Sequence, residues 1–123
     1  MSESKPFGVE TVPLRKRAKV VDGKAYVGKI SEIPDGKAKA IDLGKFRIAV
    51  FNVEGKFYAV KDACPHAEYP LSKSVIAGKE VTCASHGWRF NVKTGECLKG
   101  APGIFIRIFE VVLDGDDIWV KVS

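Results

Sequence analysis

Phe46-Arg47-Ile48-Ala49-Val50-Phe51-Asn52-Val53-Glu54-Gly55-Lys56-Phe57-Tyr58-Ala59-Val60 decides the fold class. Two runs rich in β-branched and aromatic residues flank a turn at Glu54-Gly55-Lys56, which makes this the clearest hairpin in the chain. Its second strand leads directly to Cys64-Pro65-His66, so the loop that starts there hangs from a rigid strand. After sixteen intervening residues, 67–82, come Cys83-Ala84-Ser85-His86. The chain has three Cys and two His, and four of these five lie in the two short pieces.

Working outward from the hairpin, the same signals recur. Val20-Val21 and Lys24-Ala25-Tyr26-Val27 flank Asp22-Gly23, a dipeptide suited to tight turns. Ile33-Pro34-Asp35-Gly36 marks a turn, and residues 37–43 alternate charged and apolar like a half-buried strand. Glu80 to Cys83 reads as a short strand entering the second loop. Trp88 to Val92 and Glu96 to Leu98 flank Lys93-Thr94-Gly95 as a third hairpin. Ile104 to Leu113 reads as one further run, followed by Asp114-Gly115-Asp116 and a last strand from Ile118 to Val122. No stretch carries a helical apolar period, so the expected class is all-β, a small β-sandwich or barrel.

A chain of 123 residues with 46% hydrophobic and 28% charged residues is expected to form one soluble domain. Residues 1–19 are expected to be a basic leader, mobile or loosely docked, and residues 20–123 the domain itself. No apolar run reaches the roughly 18 residues of a membrane span, and the first residues lack the apolar core of a secretory signal. The expectation is therefore a cytoplasmic monomer with no membrane partner. Net charge is +5, with about +3 of it in residues 1–24, where six Lys/Arg face three Asp/Glu. A nucleic-acid binder calls for a denser basic patch interleaved with aromatics, so no nucleic-acid partner is expected. The chain has no Gln, two Asn and one Met, a weak compositional hint of a thermophilic source.

Two thiols and two imidazoles can close a four-ligand site for zinc or for an iron–sulfur cluster. Zinc fingers and ribbons usually pair like with like, whereas each loop here offers one Cys and one His. If each loop gives its Cys to one metal and its His to another, two metals are bound asymmetrically. A mononuclear zinc site and a Cys64–Cys83 disulfide remain the alternatives.

In these residues the chain resembles the Rieske ferredoxins. The similarity rests on Cys64-Pro65-His66, Leu71, Cys83-x-x-His86-Gly87-Trp88-x-Phe90, Thr94-Gly95 and Pro102, and covers roughly residues 26–123. It implies a small Rieske-type fold with a cluster-binding loop subdomain, about residues 61–103, at one end. It also implies a [2Fe–2S] cluster with Cys64 and Cys83 on one iron and His66 and His86 on the other. Pro65, Leu71, Ser85, Gly87, Trp88 and Pro102 would surround it, with Leu71 and Trp88 covering it from solvent. High-potential members of the family carry an extra Cys in each loop and a Ser after His-Gly. Here Tyr69 or a neighbour, Ser85 and Trp88 stand at those places, which implies a low-potential, ferredoxin-type member. Ala67-Glu68-Tyr69 departs from the family pattern, which has Gly near Glu68.

The function so implied is one-electron transfer from a reductase to a terminal acceptor such as an oxygenase. With both His taken as ligands, no acid–base constellation is left, and the chain reads as an electron carrier rather than an enzyme. The alternatives are a small subunit of a multi-subunit oxidoreductase of the nitrite-reductase kind, or a redox-sensing or zinc-stabilised interaction module. Cys97, outside the ligand spacing, reads as a buried small apolar residue.

Overall fold

The computed structural model describes residues 17–64, 70–83, 87–101 and 103–122. Twelve strands are described: β1 Val20–Val21, β2 Lys24–Lys29, β3 Ala38–Asp42, β4 Arg47–Val53, β5 Lys56–Lys61 and β6 Val75–Ala77. They continue with β7 Glu80–Thr82, β8 Arg89–Asn91, β9 Cys97–Lys99, β10 Ile108–Phe109, β11 Val111–Asp114 and β12 Asp117–Lys121. Single 3-10 turns at Ile30–Glu32 and Leu71–Lys73 are the helical elements among the described residues. The all-β expectation holds.

The strands form three antiparallel four-stranded sheets, ordered β1-β2-β12-β11, β10-β5-β4-β3 and β6-β7-β8-β9. The second is central in a physical sense, because β4 buries both its faces. Every residue from Ile48 to Val53 is buried. Side chains alternate along a strand, so one set faces each way. Ile48 and Val50 join a core with Ala25, Val27, Ile118 and Val120 of the first sheet. Ala49, Phe51 and Val53 join a second core with Val81, Phe90 and Cys97 of the third. A near-continuous apolar run is what a strand covered on both faces needs.

The hairpin β4–β5 pairs from Ile48↔Lys61 to Val53↔Lys56, leaving a two-residue turn at Glu54-Gly55. Both turn residues have positive φ, 54° and 89°, the geometry that matches the twist of the flanking strands. Asp22-Gly23 repeats it between β1 and β2. Buried Asn52 stabilises the hairpin end: its amide N–H donates to the Ile33 carbonyl at 2.7 Å, and its carbonyl accepts from the Gly55 N–H at 2.9 Å.

Three features depart from the linear reading. Residues 104–113 are not one strand: Phe105 bridges to Glu96, β10 pairs with β5, and β11 pairs with β12 in a different sheet. The chain switches sheets at Glu110, and the uniform β-propensity of the segment hides that step. β6, which pairs with β7, was not expected. In the leader, the Ala18 N–H donates to the Asp42 carbonyl at 2.7 Å, and the Lys19 carbonyl accepts from the Tyr26 N–H at 2.8 Å. Its residues 1–16 lie outside the described residues.

Candidate metal centre

Cys64 and Cys83 are completely and almost completely buried, and both belong to the core between the central and third sheets. None of the three cysteines is in a disulfide, so Cys64 and Cys83 are not joined to each other. Cys64 sits three residues beyond β5 and Cys83 one residue beyond β7. Each is therefore held where a short strand releases its chain into a loop. His66 and His86 lie outside the described residues, as do Pro65, Ser85, Pro102 and the segment Ala67-Glu68-Tyr69.

The base of the second loop is closed by its backbone. The Cys83 N–H donates to the Trp88 carbonyl at 2.6 Å, and the Gly87 N–H donates to the Cys83 carbonyl at 2.8 Å. Gly87 makes this closure with φ of +76°, a conformation that glycine adopts without the Cβ penalty.

The base of the first loop is closed by a side chain that the sequence reading missed. Asp62, 2% exposed, accepts hydrogen bonds from both the backbone N–H and the hydroxyl of Ser72, each at 2.7 Å. Its own N–H donates to the Arg47 carbonyl at 2.8 Å. One residue thus ties the entry of the loop, before Cys64, to its exit, after Leu71, and anchors both on β4. An Asp two residues before the first Cys and a Ser after Leu71 are the signal that could have found it.

Leu71 is fully buried in the same core as the two cysteines, and Trp88 packs against that core. The Trp88 ring lies 6.5 Å from that of Phe90, tilted by 45°. Gly100 was also missed by the sequence reading: a Cβ there would lie 2.3 Å from the Trp88 ring. The indole therefore rests directly on backbone. Cys97 is buried in this core too, with its S–H donating to the Lys99 carbonyl at 3.4 Å. The cleft of about 500 Å³ lined in part by Tyr26, Gly28, Lys39 and Arg47 takes none of its walls from this core.

These residues fit an iron–sulfur group. Two cysteine side chains lie in one buried core, each at the root of a loop that carries an imidazole two or three positions further on. Soft thiolates with imidazoles suit zinc or iron–sulfur clusters, and apolar cover shields thiolate–metal bonds from water.

Comparison with known proteins narrows the chemistry. The family model describing the Rieske [2Fe-2S] domain matches residues 23–105. The biphenyl dioxygenase ferredoxin subunit of Pseudomonas sp. (strain KKS102) is 32% identical over 95 residues, which is 76% of this chain and 87% of the relative. Among solved structures, the ferredoxin of carbazole 1,9a-dioxygenase from Nocardioides aromaticivorans IC177 superposes with a TM-score of 0.77 at 27% identity. That match covers 83% of this chain and all of the other. A chain in the complex of reduced oxygenase and oxidised ferredoxin of carbazole 1,9a-dioxygenase matches with a TM-score of 0.79 at 27% identity, over 84% of this chain and 96% of that one.

Proposed function

This chain belongs to the Rieske [2Fe-2S] family, and from that membership we infer that it is a one-electron carrier which accepts electrons from a reductase and passes them to an acceptor such as an oxygenase. The observation that carries the reading is the burial of Cys64 and Cys83 in one core, at the roots of two His-bearing loops. We assign Cys64 and Cys83 to one iron and His66 and His86 to the other. When bound, such a group takes up and releases single electrons, at potentials of roughly −150 to +300 mV for the family.

The chain's own residues supply placement and cover. Asp62 and Ser72 hold the first loop, and the Cys83–Trp88 turn holds the second. Leu71 and Trp88 would keep water from the bound group, and Pro65, Ser85, Gly87 and Pro102 are the remaining residues assigned to its surroundings. The ferredoxin relatives are components of dioxygenase systems, and the same role without a catalytic step of its own is proposed here. Among the described residues no helix is long and apolar enough to cross a membrane, and a cytoplasmic monomer is the proposed state.

Anaerobic purification tests the reading. Iron and acid-labile sulfide are expected near two per chain, with a rhombic EPR signal on reduction. One zinc per chain without sulfide overturns it. Single replacement of Cys64, His66, Cys83 or His86 is expected to abolish or remodel the signal. The midpoint potential gives an independent check on the His pair. Reduction raises the proton affinity of a metal-bound imidazole's free nitrogen. Above the first oxidised-state pKa, where one proton accompanies each electron, the potential is then expected to fall by about 59 mV per pH unit for a one-electron couple. A potential level far into the alkaline range argues against solvent-facing His66 and His86.

A further inference from the structure

A row of cations crosses the end of the central sheet where the chain leaves it for Cys64. β4 begins there at Arg47, β5 ends there at Lys61, and β10 follows directly after Arg107. Backbone bonds hold the three side by side: the Lys61 N–H donates to the Arg107 carbonyl and the Asp62 N–H to the Arg47 carbonyl, both at 2.8 Å. Lys45, in the turn before β4, adds a fourth cation. Lys45, Arg47 and Lys61 line a groove of about 410 Å³ whose wall ends at Ala63, next to Cys64.

Lys45, Lys61 and Arg107 are exposed and Arg47 half-buried. The described ion pairs are Lys29–Asp117, Lys39–Glu32, Arg89–Glu80 and Lys121–Glu110, and none uses any of the four. The Arg107 guanidinium is held in place over two rings, 4.7 Å from the centre of Phe109 and 5.6 Å from that of Phe46. Two carboxylates share the groove, Asp42 and Asp62. Asp62 is 2% exposed and committed to Ser72, which leaves four cations facing outward against a partly exposed Asp42.

The charge is also polarised along the molecule. Residues 61–107 hold seven Lys/Arg against four Asp/Glu, whereas residues 108–123 hold one Lys against four Asp/Glu. β5 runs toward Cys64, and β10, antiparallel to it, runs away and leads through β11 to the acidic turn between Asp114 and Asp117. The four cations thus lie where β5 releases the first loop, and the acidic turn lies beyond β10 and β11. An oriented charge distribution of this kind turns an approaching partner during diffusional encounter.

We propose that Lys45, Arg47, Lys61 and Arg107 form the docking face for a redox-partner protein whose own contact surface is acidic. This rests on the electron-carrier reading and specifies the partner's chemistry. The four cations draw the partner onto the edge beside Cys64, and electron transfer happens from that encounter. Attraction over such a face is long-ranged only at low salt, since screening sets in within about 10 Å at 0.1 M.

Two measurements on the cluster-loaded protein test it. Each reduced chain gives one electron to one hexacyanoferrate(III) anion, which becomes hexacyanoferrate(II). At low salt the second-order rate is expected to fall about tenfold in Lys45→Glu/Lys61→Glu. With the cation tris(phenanthroline)cobalt(III) as oxidant the same variant is expected to react faster. Lys37→Glu/Lys56→Glu makes the same net-charge change at the far end of the hairpin and is expected to shift either rate less than twofold. The second measurement is the anisotropy of a labelled oligoglutamate peptide, which should bind the parent chain at low salt and lose affinity in the first variant only. Equal effects of the two variants, absence of salt dependence, or binding to phosphatidylglycerol vesicles in place of the peptide overturns the proposal. A chain without the cluster spectrum overturns the carrier reading instead, while the peptide measurement still decides the sign of the face.

Discussion

At the scale of single residues, the site is held by groups that are not ligands. Asp62 is a buried carboxylate with two donors from Ser72, and hydrogen bonds to charged groups contribute about 1.5–3 kcal/mol each. Asp62→Ala leaves the Ser72 N–H without its acceptor, and chemical denaturation is expected to show a loss of about 2 kcal/mol or more. Ser72→Ala keeps the backbone bond and is expected to lose about half of that. Cluster content should fall in the same order. Gly100→Ala places a methyl against the Trp88 ring, 2.3 Å away, and φ of +140° adds strain. It is expected to lower the melting temperature and to change the near-ultraviolet dichroism of Trp88. Cys97→Ser places a hydroxyl in a buried site already bonded to the Lys99 carbonyl. The visible spectrum is expected to stay unchanged, and its loss would mean that Cys97 is a ligand.

At the scale of elements, the β4–β5 hairpin shows how local chemistry and tertiary context divide the work. The Glu54-Gly55 turn needs positive φ at both positions, and Gly55 meets this freely while Glu54 does not. Asn-Gly is the preferred pair for such a turn, so Glu54→Asn is expected to stabilise the protein by about 1 kcal/mol, read as a higher denaturation midpoint at unchanged slope. Phe51 is fully buried in β4, in the same core as the two cysteines. Phe51→Ala is expected to lose about 3–5 kcal/mol in equilibrium unfolding. The turn was legible because Gly55 sits between two apolar runs. The division of residues 104–113 was not, because a bridge, a two-residue strand and a change of sheet all use the same Ile, Phe and Val.

At the scale of the whole molecule, the shifted titratable groups gather on the first sheet and the turn after β2. The Asp117 carboxyl is held below the usual carboxylate range, first by its bond from Lys29 and then by that from the Tyr26 hydroxyl. Glu32 is held below its usual value, chiefly by Lys39. Each depressed carboxyl stabilises the fold above its unfolded pKa, near 4, and loses that contribution as pH falls through the lower folded value. Tyr26 and Lys29 are both raised, first by their bonds to Asp117. Their contribution is complete below about pH 10 and disappears as pH rises through the raised folded values. The melting temperature is thus expected to be level between about pH 4 and 10 as far as these groups are concerned. Asp117→Asn should flatten both limbs; a profile with unchanged limbs would place the pH sensitivity elsewhere. These groups face solvent, so the limbs should be shallow and weaken in salt.

The all-β class, the three hairpins and the Cys/His spacing are all legible along the chain, because each depends on residues close together in it. Turn residues, β-branched runs and ligand spacing are local signals. Folding in three dimensions is what makes β4 divide two cores, Asp62 close the first loop onto Ser72, and Trp88 rest on Gly100. It alone aligned Lys45, Arg47, Lys61 and Arg107 beside Cys64. Each of these joins residues that strand pairing or core packing brings together from distant positions. A single strand's composition carries no record of which neighbour it will meet.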